Sequence, residues 1–260
     1  MYYPPKLLNE GEEPKVKITE TFPVKHGYVG FTENFKYLGS LINSDLRDIH
    51  EIKQRIRKAT NQMHELNHLW RNKHVEQDIK VWLYLALPVN TLLWGCESWA
   101  ISAEAMRSLE TFHTKSIRKI LGVSMWNVQA LRVTNEQVRE EFNNMTTMEN
   151  ILKKRQLQWI GKLARLPEHR LPRQLMAAWI QNPRKPGQPQ LSLRNTMARA
   201  IETIMPEAGR EAPLEIWLPW AEEEVAWNAM IEQWWKTCHQ HGNDSTQDPQ
   251  SEPEPDPPVP

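Results

Sequence analysis

The chain holds 260 residues, of which 40% are apolar and twelve are tryptophan, and it balances 32 Lys/Arg against 32 Asp/Glu. That is enough apolar side chain for the core of one or two domains, while no apolar run approaches the ~20 residues of a membrane span and Met1-Tyr2-Tyr3-Pro4-Pro5 lacks the basic-then-apolar pattern of a signal peptide. Two cysteines far apart, Cys96 and Cys238, exclude a disulfide framework and suit a reducing compartment, so the chain reads as soluble and intracellular, nuclear or cytoplasmic, with no membrane partner.

Residues 1–23 carry Pro4, Pro5, Pro14 and Pro23 without a sustained apolar period and read as an extended or disordered leader. In the segment 24–45, Val24 to Ile42 suits two short strands joined through Gly27 and Gly30. From 46 to 125 the pattern is helical. Ile49, Ile52, Ile56, Ala59, Met63, Leu66 and Leu69 recur at steps of three and four, which predicts an amphipathic helix with Lys53, Arg57 and Lys58 off the apolar stripe, facing solvent or phosphate. A second helix is predicted from about Gln77 to Leu87, kinked or ended by Pro88. A third runs from Ala103 to Leu121, with Met106, Leu109, Phe112, Ile117 and Ile120 inward and Gly122 as its stop.

Within 126–240 a helix is predicted from Thr147, its cap, to Leu166, stopped by Pro167. Pro183 to Pro189 forms a loop carrying Arg184 and Lys185. Helices follow from Ser192 to Ile204 and, rich in tryptophan, from Trp217 to Trp235. Residues 241–260 are polar, acidic and proline-rich and read as a disordered tail.

The neutral total hides a division. Residues 150–199 hold eleven Lys/Arg (Lys153, Lys154, Arg155, Lys162, Arg165, Arg170, Arg173, Arg184, Lys185, Arg194 and Arg199) against the single acid Glu168, whereas residues 200–260 hold two Lys/Arg against thirteen acids. Such blocks make either a phosphate-binding surface with a separate solubilising tail or two surfaces that neutralise each other within the fold, and both readings stand. Trp159, among those cations, reads as a core residue, with stacking on an unpaired base as the other reading.

Phe35-Lys36-Tyr37-Leu38-Gly39-Ser40-Leu41-Ile42 followed by Glu51-Ile52-Lys53-Gln54-Arg55-Ile56-Arg57-Lys58-Ala59 is an aromatic strand that turns at a glycine and feeds a helix with one apolar and one cationic face. The stretch resembles the primer-grip strand and the start of the thumb in reverse transcriptases of non-LTR retrotransposons. The resemblance continues in order through Leu93-Trp94-Gly95-Cys96-Glu97-Ser98-Trp99, Ser116-Ile117-Arg118-Lys119-Ile120-Leu121-Gly122, Arg155-Gln156-Leu157-Gln158-Trp159-Ile160-Gly161-Lys162-Leu163-Ala164-Arg165 and Arg184-Lys185-Pro186-Gly187-Gln188-Pro189, covering roughly residues 30–200. It implies a mainly α-helical, thumb-like bundle with a short β lead-in and disordered termini. It also implies contact with RNA, DNA or their hybrid through Tyr37, Gly39, Lys53, Arg57, Lys58, Lys115, Arg118, Lys119, Lys153, Lys154, Arg155, Lys162, Arg165, Arg184 and Lys185. In that family a palm with paired aspartates holds two Mg²⁺ ions. No Asp-Asp pair occurs in this sequence, so the chain is expected to lack catalysis and to need no cofactor, as a truncated copy or a partner of an upstream palm.

Two other classes stay open. His64-Glu65-Leu66-Asn67-His68, with His74 at the third-ligand spacing, matches the zinc-protease pattern HExxH, although Arg71 stands where metzincins need glycine to swing the third histidine onto the metal. Cys238-His239-Gln240-His241 lacks the paired cysteines of a zinc knuckle. A helical protein-interaction domain, with its basic block paired to its acidic one, is the other alternative.

Overall fold

The computed structural model of the chain describes residues 22–25, 27–30, 32–44, 47–177, 193–208 and 212–240. The loop with Arg184 and Lys185, the acidic tail and nearly all of the leader lie outside them. The fold is mainly α-helical, as the sequence predicts, with a β lead-in that differs in detail. Four short strands make two separate antiparallel hairpins, β1 (Phe22–Val24) with β2 (Gly27–Val29) and β3 (Asn34–Tyr37) with β4 (Ser40–Asn43). The second hairpin arises because Leu38 and Gly39 both take positive φ, 47° and 88°, and a two-residue turn of that hand matches the twist of the strands it joins.

Helix α1 (Ile49–Glu65) buries Ile52, Ala59 and Met63 on the expected stripe but ends before Leu69. The chain breaks at Leu66 and restarts as α2 (Asn67–Trp70). The Trp70 indole donates to Met63 O at 3.1 Å, so the break lets a fully buried ring turn back onto the end of α1. Helix α3 (Gln77–Tyr84) passes without a stop through a widened π segment (Leu85–Val89) into α4 (Asn90–Leu92). The wider turn accommodates Pro88, whose ring would clash with the carbonyl four residues back in an ordinary α-helix.

Helix α5 (Ala103–Leu121) keeps its predicted bounds, with Ser102 accepting from Ala105 N at its start and Gly122 at φ 74° ending it. Two helices between 122 and 147 were not foreseen, α6 (Met125–Leu131) and α7 (Asn135–Glu141), the latter opened by a reciprocal Thr134–Gln137 capping box. Helix α8 (Met148–Ala164) starts from Thr147 as expected and is followed by α9 (Leu171–Ala177), also unforeseen, and by α10 (Leu193–Ile204). The tryptophan-rich helix is in fact two, α11 (Leu214–Glu222) and α12 (Glu224–Gln240), divided at Glu223, whose ψ of 98° is extended.

The core divides within α8. Buried residues from Ile52 to Leu152 form one cluster, and those from Leu157 to Ile231 form the second. Helix α8 accordingly packs against α5, α10, α11 and α12. Its closest approach is to α12 at Gly161, where the buried Trp227 ring lies over the backbone and donates Nε1–H to Leu157 O at 2.9 Å. A Cβ on Gly161 would stand 2.5 Å from Trp227 Cδ1.

Within the first cluster His113 is fully buried. Thr146 O, 3.0 Å from Nε2, can only accept, so Nε2 carries the hydrogen and Nδ1 accepts from the Tyr84 hydroxyl at 2.8 Å. Both ring nitrogens are satisfied with the ring neutral. Burial pushes the pKa down to about 4 from 6.5, partly opposed by the Thr146 bond.

Gly161→Ala should lower stability by about 1–2 kcal/mol in a denaturant melt, because the gain in helix propensity of roughly 1 kcal/mol is outweighed by overpacking of about 1–3 kcal/mol against a ring with no room to retreat. Stability should also fall with pH through His113. The unfolded imidazole gains its proton near pH 6.5 and the folded one only near pH 4, so the contribution is whole above pH 6.5, declines as pH falls between those values and is flat below. The span corresponds to about 3 kcal/mol at 1.36 kcal/mol per unit. Half-buried Asp48 and Glu110, both raised, act in the opposite sense, so the decline should be read as the difference in urea midpoint between the parent and His113→Gln across pH 4–7.

Candidate nucleic-acid interface

The residues singled out in the sequence separate into three places. Tyr37 and Gly39 belong to the β3–β4 hairpin. The Tyr37 ring is 57% exposed and stacks on Phe35 with centroids 6.4 Å apart. The hairpin is fastened to α1 by a device not anticipated from the sequence. Buried Arg55 donates Nε–H to Glu51 Oε1 at 2.5 Å and a second N–H to Gly39 O at 2.8 Å, while Glu51 Oε2 accepts from Leu41 N at 2.6 Å. An acid and an arginine four residues apart on a helix were the available signal. Arg55 therefore holds the turn in shape and does not face a ligand.

The second place is the block on α8. Lys153 pairs with Glu149 at 2.9 Å within the helix, and Lys154 pairs with Glu232 of α12 at 2.9 Å with its amine 4.3 Å from the centre of the Trp235 ring. Arg155 donates to Asn90 Oδ1 and, at 3.5 Å, to Leu93 O. Arg165 donates to Ala221 O at 3.1 Å and lies 3.5 Å from Glu224, and Arg173 of α9 pairs with Glu222 at 2.6 Å. Three ion pairs thus join the basic block to the acidic one across α8, α9, α11 and α12. Trp159 is half-buried against the second cluster. Lys162 is exposed and makes no ion pair among the described residues. Arg184 and Lys185 lie outside the described residues.

The third place is a groove of about 620 Å³ between α1 and α5. Ile56, Met63 and Phe112 form its apolar floor, Thr60, Ser108, Thr111 and Ser116 supply hydroxyls, and the rim carries His64, Arg107, Lys115 and Lys119 with Glu104 as the one acid. Lys53, beside it, reaches Glu104 only at 3.9 Å with both side chains exposed, a pair worth about 0–1 kcal/mol. At 100° per residue Thr60, Lys53, His64 and Arg57 follow one another around α1 on the groove side, while Glu51, Arg55 and Lys58 lie on the hairpin side, with the buried stripe between. The hairpin and the groove are therefore separate surfaces. Lys115 is exposed and unpaired among the described residues. Lys119 donates to Met63 O at 3.3 Å, and burial, then the neighbouring Arg71, lowers its pKa. Arg118 turns away from the groove and donates to Asn135 Oδ1 at 2.7 Å.

The three histidines of the zinc pattern do not form one constellation. The helix ends between His64 and His68, contrary to the continuous helix expected, and His68 Nδ1 lies 3.1 Å from Glu65 O as a donor to it. His74 follows in an exposed turn whose backbone N–H bonds Asn72 Oδ1 at 2.8 Å. Among the described residues no group of three or more His, Cys, Asp or Glu side chains gathers as a metal site, and no helix is long and apolar enough to cross a membrane.

Comparison with known proteins gives one informative relative. The chain is 24% identical over 203 residues, spanning 76% of its own length and 70% of the other, to an uncharacterized transposon-derived protein of Caenorhabditis elegans. This similarity supports a transposon-related origin. No family model and no solved structure matches the chain.

Leu38, 82% exposed, holds a left-handed φ of 47° without any contact that requires leucine. Leu38→Asn should raise stability by about 0.5–1 kcal/mol, because asparagine tolerates that conformation better, and the gain should appear as a higher urea midpoint with an unchanged slope.

Proposed function

We propose that the chain is a reverse-transcriptase-like protein of non-LTR retrotransposon origin, without catalysis of its own, that binds the backbone of RNA, DNA or their hybrid along the α1–α5 groove. The observation that carries this reading is the sorting of the cations. The cations of α8 and α9 other than exposed Lys162 are matched to acids or carbonyls, whereas Arg107 and Lys115 line an open groove with a single acid at its rim. Cations spaced along two crossing helices neutralise successive phosphates by releasing their counterions, and hydroxyls between them accept and donate to sugar and phosphate oxygens. The order of segments shared with the retroelement enzymes and the similarity to a transposon-derived protein support the same origin. No Asp-Asp pair occurs in the sequence, which supports a role in binding over two-metal polymerisation.

A helical protein-interaction domain is the second reading, favoured by the pairing of Lys154, Arg165 and Arg173 with Glu232, Glu224 and Glu222. The two readings part on salt. Binding of a mixed-sequence oligonucleotide should weaken steeply as salt rises and vary little with sequence. Arg107→Ala with Lys115→Ala should reduce the magnitude of the log–log salt slope by up to ~1.4 on single strands and ~1.8 on duplex, at about 0.7 and 0.9 per phosphate contact. Lys154→Ala should leave the slope alone and lower the melting temperature instead. The purified chain should extend no primer on an RNA template with Mg²⁺ or Mn²⁺. Salt-independent affinity, or an unchanged slope in the groove variant, would transfer the assignment to a protein partner.

A further inference from the structure

We propose that the acidic C-terminal segment of this chain, residues 241–260, seats in cis on the α1–α5 groove and screens its cations. Charge complementarity is the first argument. The acids of α11 and α12 nearest the basic block are already matched, Glu222 to Arg173, Glu224 to Arg165 and Glu232 to Lys154. Asp244, Asp248, Glu252, Glu254 and Asp256 come after the last described helix, with no Lys or Arg among them in the sequence. The groove offers the opposite balance, Arg107, Lys115 and Lys119 against Glu104.

Chain length and the place where the described chain stops supply the second argument. Helix α12 ends at Gln240, and its last turns lie by the start of α8, with the Trp235 ring under Lys154 and Cys238 within the field of Lys153. The start of α8 rests on α5, where Glu149 N donates to Glu110 Oε1 at 3.0 Å. Glu110 stands about 60° around α5 from Arg107 and about 140° from Lys115, so the segment has to pass around part of one helix, about 10–12 Å across. Twenty residues reach up to roughly 66 Å, which covers that detour and the ~28 Å length of α5.

Pitch is the third. Glu252, Glu254 and Asp256 alternate with Pro253, Pro255 and Pro257. Two residues of polyproline II backbone advance about 6 Å, and so do the four residues of α-helix between Lys115 and Lys119. A segment laid along α5 would therefore set successive carboxylates against successive cations, while prolines and Val259 meet the apolar floor of Ile56, Met63 and Phe112. The seat itself needs only the groove. Its consequence, competition with phosphate, rests on the nucleic-acid reading above.

The test uses the full chain without nucleic acid. Zero-length carbodiimide coupling followed by peptide mass spectrometry should join acids of 244–256 to Lys115 and Lys119 within the monomer. Coupling should fade at high salt and disappear at those positions in Lys115→Gln with Lys119→Gln, whose circular dichroism should match the parent. Replacing the five tail acids by Asn and Gln should then tighten binding of a mixed-sequence oligonucleotide by roughly 3- to 10-fold at low salt, with the gain vanishing as salt rises. Coupling of the tail to other lysines, coupling confined to dimers, or none at all would overturn the seat. Coupling to the groove with no change in oligonucleotide affinity would keep the seat and overturn the nucleic-acid reading.

Discussion

Helix α8 is covered on most of its circumference, and the rest of the molecule is arranged to make that possible. It gives Met148, Ile151 and Leu152 to the first cluster and Leu157, Ile160, Leu163 and Ala164 to the second, so neither cluster can close without it. The same helix carries five cations in or beside its length, and apart from exposed Lys162 a helix walled by neighbours leaves them little water. Lys153, Lys154, Arg155 and Arg165 each have a partner chosen by proximity: Glu149 one turn back, Glu232 and Glu224 on α12, Asn90 and Leu93 beside α4. The acidic partners are half or more exposed, so each ion pair is worth about 0–1 kcal/mol. Their value lies in fixing how α12 lies on α8 and in sparing partly buried cations an unpaired state, which costs more than the pair contributes.

The α1–α5 contact has no such cover on its outer side. The two helices meet over Ile56, Met63 and Phe112, and polar residues of both flank the opening. On the other side of α1 the Glu51–Arg55 pair does for the hairpin what Trp227 does for α12. It satisfies the donors and acceptors of a tight turn with a rigid, buried fork, so that a strand of four residues keeps its place with both Phe35 and Tyr37 turned outward.

The helical architecture was legible wherever a strong period coincided with a strong cap. Ser102 and Gly122 bracket α5 and Thr147 opens α8, because caps and left-handed glycine stops act locally. The breaks that failed to show are set by tertiary packing. Leu66 looks like a continuation of the α1 stripe, and only the demand of Trp70 for the Met63 carbonyl divides the helix there. Glu223 separates α11 from α12 with no proline or glycine to announce it. Helix α7 could have been found from Thr134 and Gln137, three residues apart, had the short apolar content of the segment not weighed against it. Local charge counts located the cations of α8 but could not give their partners, since a count contains no information about which acids another helix brings alongside.

The sharing of α8 between two clusters also bears on the order in which the protein can be made. A ribosome delivers the chain from its N-terminus, and the first cluster acquires its last wall when Ile151 and Leu152 emerge. The same helix then displays Leu157, Ile160 and Leu163 to solvent until α10, α11 and finally Ile231 of α12 arrive to cover them. At ordinary synthesis speeds that interval is roughly 4–15 s, during which a half-finished molecule carries an uncovered apolar ridge on an otherwise folded body. A premature stop codon anywhere between α8 and α12 would make that ridge permanent, yielding a chaperone client or an aggregate rather than a smaller working protein.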